Sequence, residues 1–232
     1  MNHVMRPVSH PVARTLRRFA WMDVSFYLLL CALAACLTWA QPAHAADDSA
    51  DVFIKRVSTE ILDTIKADKS IRNGDVQKVS TLVDQRVMPH VNFQRMTASA
   101  VGPGWRQASA EQQKRLQDEF KTLLVRTYAG ALSQVSDQTI AVKPLRAAPD
   151  DKEVIVRTEV RGKGDPIQLD YRVEKSADAP AGWRIYNLNV MGIWLVDNYR
   201  SQFAQEVNAK GIDGLIASLA ERNQANRKAD AK

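Results

Sequence analysis

Ile167-Gln168-Leu169-Asp170-Tyr171-Arg172-Val173-Glu174 alternates apolar and polar residues at every step. A period of two places Ile167, Leu169, Tyr171 and Val173 on one face of a β-strand and leaves the other face wet. Thr139 to Lys143, Glu153 to Val160 and Trp183 to Val190 also read as strands. The connections between them, Ala147 to Asp151, Arg161 to Pro166 and Ser176 to Gly182, are short and turn-rich, which favours antiparallel neighbours. A four-stranded antiparallel meander is therefore expected.

Helical periods flank the meander. Phe53, Val57, Ile61 and Ile65 recur every four residues, the spacing of one helix face. Asn73-Gly74 breaks that pattern. Val76, Val79, Val83 and Val87 mark a second helix stopped by Pro89. Asn92 to Val101 predicts a short third helix, ended by Gly102-Pro103-Gly104. Ser109 with Gln112 three residues on is a capping-box start. It opens a long helix with Leu116, Phe120, Leu123, Leu124, Tyr128 and Leu132 as its apolar stripe. Leu195 to Val207 returns to helix, Gly211 breaks it, and a last helix is expected to about Glu221. Helices, a meander, then helices define an α+β class: an antiparallel sheet of about four strands covered by several helices.

Residues 1–45 read as a secretory signal: Arg14, Arg17 and Arg18, an apolar run from Phe26 to Trp39, and Ala43-His44-Ala45 before cleavage at Ala46. The apolar run is shorter than the roughly 20 residues of a membrane span. A rival reading takes Leu33-Ala34-Ala35-Cys36 as a lipoprotein box that lipidates Cys36. Cleavage after Ala45 leaves one α+β domain at 46–221 and a polar flexible tail at 222–232. It also removes four Arg and one Asp, halving the net charge of +6 to +3. Export and so modest a charge argue against a nucleic-acid partner. Both cysteines and three of the four histidines leave with the leader.

What remains excludes several chemistries. His90 alone cannot make a zinc site or, without a GxSxG turn, point to a triad. Gly102-Pro103-Gly104 and Gly162-Lys163-Gly164 lack the residues of a phosphate loop. Asp47-Asp48 and Asp150-Asp151 are pairs, not calcium loops. Asp170 and Tyr171 are adjacent on a strand and point to opposite faces, so they cannot converge on a substrate. No enzyme, metal or cofactor reading emerges. Phe93, Met96, Phe120, Leu124, Tyr128, Tyr186, Leu188, Val190, Ile193, Trp194 and Tyr199 either form an ordinary core or line a cavity. Periodicity does not separate these two readings.

The segment Val83-Asp84-Gln85-Arg86-Val87-Met88-Pro89-His90-Val91-Asn92-Phe93 is similar to the MlaC family, periplasmic phospholipid carriers of the maintenance-of-lipid-asymmetry pathway. So are Gly102 to Trp105, Ala108, Gln112-Gln113, Phe120, Leu124, Tyr128 and Leu132. The match continues through Trp183, Tyr186, Gly192, Leu195, Asn198-Tyr199-Arg200 and Gly211-Ile212-Asp213-Gly214-Leu215.

The resemblance implies a cavity between sheet and helices that takes the acyl tails of a phospholipid. It implies three kinds of partner: the lipid cargo, an outer-membrane lipoprotein and porin complex, and the substrate-binding subunit of an inner-membrane ABC transporter. A monomer is expected. The expected lining is Val87, Phe93, Phe120, Leu124, Tyr128, Tyr186, Leu188, Val190, Ile193 and Tyr199. Exposed Arg86, Arg200 and Lys210 are candidate partner contacts. Met191 and Trp194 depart from the family, which often has an acid and a serine there. A tryptophan at a pocket-side turn would narrow the mouth or change the preferred tail volume, so another lipid such as a hopanoid is an alternative cargo. A cargo-free periplasmic adaptor is the other.

Overall fold

The computed structural model describes residues 48–230 except 149 and 180. The predicted leader, with Cys31, Cys36 and the cleavage site after Ala45, lies outside the described residues.

Among the described residues the strands are β1 (Thr139–Val142), β2 (Glu153–Arg161), β3 (Ile167–Lys175), β4 (Trp183–Val190) and β5 (Ile193–Trp194). They form one antiparallel sheet in the order β1-β2-β3-β4-β5. The expected meander is present, with one strand more than expected. Met191 and Gly192 turn the chain straight back, so that Val190 pairs with Ile193 and Asn189 with Trp194.

Six α-helices cover the described chain: α1 (Ala50–Ala67), α2 (Lys69–Arg72), α3 (Val76–Leu82), α4 (Phe93–Val101), α5 (Ala110–Leu132) and α6 (Leu195–Asp230). Asp68 and Asp75 each accept two backbone N–H groups at the starts of α2 and α3, satisfying donors that have no partner inside the helix. The helix expected from Val76 to Val87 is not uniform. It widens into a π turn over Val83–Val87 and tightens into a 3-10 turn over Met88–His90. Pro89 accounts for this. It has no N–H, and its ring would meet the carbonyl four residues back in a continued α-helix. The Ser109/Gln112 capping box forms with both its bonds. Gly211 bends α6 at φ 69°, a conformation that other L-residues adopt only with strain. The expected loose tail from 222 is replaced by continued helix to Asp230. Asn223 is buried there and donates to the carbonyl and the carboxylate of Glu119, at 3.0 and 2.7 Å.

Three apolar bodies result among the described residues. Phe53, Ile54 and Val57 of α1 pack on the sheet's inner face at Val154, Val156, Tyr171, Val173, Trp183 and Ile185. A second core joins α4, α5 and α6 through Phe93, Leu116, Phe120, Tyr199, Phe203 and Leu215. A third, of Ile65, Ile71, Val79, Leu82, Val125 and Ala129, joins α1, α2, α3 and α5, and residues of all three line the cavity.

Candidate lipid-binding cavity

A cavity of about 430 Å³ lies between the sheet's inner face and α1, α3, the π turn and α5, within the range of ligand pockets. Its deep wall is buried: Val57, Leu62, Ile65, Val79, Val125 and Ala129 from the helices, Tyr171 and Ile185 from the sheet. Its most open wall residues are Ala131 and Ile167, the latter 44% exposed. They sit where the C-terminal end of α5 meets the β2–β3 turn, which places the mouth at that end of the sheet. The π turn contributes Val83 and Val87, fitting the tendency of such turns to occur at binding sites.

The wall is nearly free of polar groups. Ser58 Oγ and Tyr171 Oη hydrogen-bond at 3.0 Å, and burial pushes the Tyr171 phenol up to about 12. Burial also raises the pKa of Tyr128. The one cation on the wall, Lys121, is held by Asp84 at 2.7 Å. A buried unpaired charge is costly, and here the charge is paired and the hydroxyls stay neutral at physiological pH. His90 stacks edge-on against Phe53 at 5.8 Å, and burial lowers its pKa. Among the described residues no three acidic or imidazole groups converge as metal ligands.

Of the ten residues expected to line a cavity, the structure brings six together: Val87, Phe93, Leu124, Tyr128, Leu188 and Val190. Four lie elsewhere. Tyr186 is on the outer face, because a β-bulge makes it the extra residue of β4. Arg172 pairs with Asn187, and the next residue, Val173, pairs with Ile185. The bulge puts Ile185 in phase with Leu188 and throws Tyr186 outward. There its ring lies 3.7 Å under Arg95 and its hydroxyl donates to Glu153 at 2.9 Å.

Phe120 and Tyr199 belong to the helical core, with ring centroids 5.0 Å apart in an edge-on contact. Ile193 is 58% exposed on β5, so a charge at that position would meet water rather than cargo. Trp194 also misses the wall. It packs under Arg172, whose guanidinium lies 4.1 Å from the ring centroid. The tryptophan therefore neither narrows the cavity nor alters its volume. Of the exposed cations, Arg86 pairs with Glu60 and Lys210 with Glu206.

An α+β domain with an apolar-walled cavity between sheet and helices is a binding fold for an apolar ligand. The chain belongs to the MlaC family: the family model described as "MlaC protein" matches residues 55–221. It is 24% identical over 176 residues to the "Intermembrane phospholipid transport system binding protein MlaC" of Haemophilus influenzae, covering 75% of this chain and 82% of that one. It is 29% identical over 189 residues to the "Toluene tolerance protein ttg2D" of Pseudomonas putida, covering 78% and 86%. Among solved structures it is similar to a phospholipid-binding protein from Ralstonia solanacearum in complex with a phospholipid. That match has 47% identity and a TM-score of 0.74, over 78% of this chain and 99% of the other.

Proposed function

We propose that this protein is a periplasmic, non-enzymatic carrier of glycerophospholipid, exchanging cargo between an outer-membrane lipoprotein complex and the substrate-binding subunit of an inner-membrane ABC transporter. The observation that carries the reading is the apolar cavity, whose wall is aliphatic and aromatic apart from one hydroxyl pair, the Tyr128 phenol and one paired cation. Family membership supports it, as does the phospholipid held by the Ralstonia solanacearum relative. The six expected residues on the wall are the proposed tail contacts. A hopanoid cargo is not favoured, since Trp194, the departure that raised it, lies off the wall.

The energetics dictate how such a carrier works. Two acyl chains hold roughly 30 methylenes, and exposing them to water at ~0.8 kcal/mol each costs on the order of 20 kcal/mol. Escape into water is then negligibly slow, and hand-over requires contact along an apolar path. The test is to fill the space. Ala129→Trp and, separately, Val87→Trp place an indole in the cavity. Each variant should remain folded by circular dichroism and lose co-purified phospholipid. Folded variants that retain lipid at the wild-type ratio would refute the assignment.

A further inference from the structure

The β4–β5 turn carries a residue that its geometry disfavours. Met191 and Gly192 both have positive φ, 52° and 89°. This both-positive pattern selects Asn-Gly or Asp-Gly, because a larger side chain is strained there. Met191 is nevertheless 70% exposed, so packing does not explain it. The turn is firmly held: Met191 N–H donates to the Gln168 carbonyl at 3.0 Å and Gly192 N–H to Asn189 Oδ1 at 2.8 Å. Ile193 follows at 58% exposure, and Ile167 stands on the same end of the sheet at 44%. Strain retained to display an apolar side chain points to function.

These residues adjoin the cavity. Ile167 is itself a wall residue, and Val190, next to Met191, is another. Apolar surface therefore runs from the cavity out to the turn. We propose that Met191, Ile193 and Ile167 form a tip that dips into the surface of a lipid bilayer while the mouth faces it; this rests on the carrier reading. Three observations favour a bilayer. The apolar path is continuous with a cavity suited to lipid tails. Lys163, in the β2–β3 turn beside Asp165, has no ion pair among the described residues, which leaves it available to an anionic headgroup. Finally, the side chains are displayed on tight turns, and entry into a headgroup layer needs protruding apolar groups rather than a shaped partner surface.

The test uses the exported protein and vesicles of mixed phosphatidylethanolamine and phosphatidylglycerol. Wild type should co-float with them. The double variant Met191→Asn with Ile193→Ser should co-float about tenfold less, as expected for two exposed apolar side chains withdrawn from a partial burial. Met191→Asn alone should be at least as stable as wild type in urea, because asparagine suits the turn, while binding vesicles less. A purely structural role for Met191 would not move stability and binding in opposite directions. Both variants should keep their lipid, since neither position is on the wall. Wild type that stays off the vesicles, or a double variant that floats equally, would overturn the tip and assign these residues to a protein surface. Lipid content, read by mass spectrometry on the same samples, tests the carrier reading separately. Protein without lipid would sink that reading whatever the flotation result.

Discussion

Removing the cargo should weaken this protein far more than removing a surface ligand would. The cavity measures about 430 Å³. At ~24 cal/mol for each Å³ of empty, apolar-walled space, leaving it void would cost about 10 kcal/mol. A typical domain has only about 5–15 kcal/mol of stability in all. The figure is an upper limit, because α1, α3 and α5 can move inward and shrink the void and water can enter at the mouth beside Ile167. Even half of it would lower Tm by at least about 10 °C in a domain of this size, at roughly 2–4 °C per kcal/mol. The assay is calorimetry on lipid-loaded protein and on the same protein stripped by solvent extraction, each state verified by native mass spectrometry. Equal Tm in the two states, with the cavity persisting in the stripped form, would show that the emptied cavity costs the fold nothing.

Three further outcomes follow from the geometry. Leu124→Glu, on the cavity wall, should abolish lipid co-purification, whereas Ile193→Glu, exposed on β5, should leave lipid content and Tm near wild type; lipid extraction of both variants checks the contrast. Tyr171 gives an alkaline limit: its folded pKa is raised from 10.0 to about 12, so its contribution is intact below pH 10 and is lost as pH rises towards 12. That loss approaches about 3 kcal/mol at ~1.4 kcal/mol per unit, and Tyr171→Phe should flatten that limb of a urea stability–pH curve. Asn223→Ala should cost about 1–2 kcal/mol by urea denaturation, because it removes both hydrogen bonds that the buried Asn223 amide donates to Glu119; no loss would mean that the end of α6 does not pack as described.

The sequence made the strands legible because β3 keeps a strict period of two, and it marked the start of α5 through the capping box. It could not reveal the bulge. Ile185 and Tyr186 are both apolar, so an extra residue between them and Leu188 changes no composition, only which of the two faces inward. Helix α5 misled for a different reason. Its apolar stripe serves two bodies: Leu116, Phe120 and Leu123 enter the helical core, while Leu124, Val125 and Tyr128 face the cavity. One stripe in the sequence cannot show where that division falls. The end of the last helix, past Glu221, is mainly polar, and the burial of Asn223 depends on Glu119, 104 residues away.

Native mass spectrometry of the purified protein, followed by extraction and lipid analysis, shows whether the cavity carries phospholipid. A mass increment equal to bound phospholipid is expected, lost in Leu124→Glu and kept in Ile193→Glu. A cargo-free mass that persists after incubation with phospholipid vesicles would contradict the carrier reading.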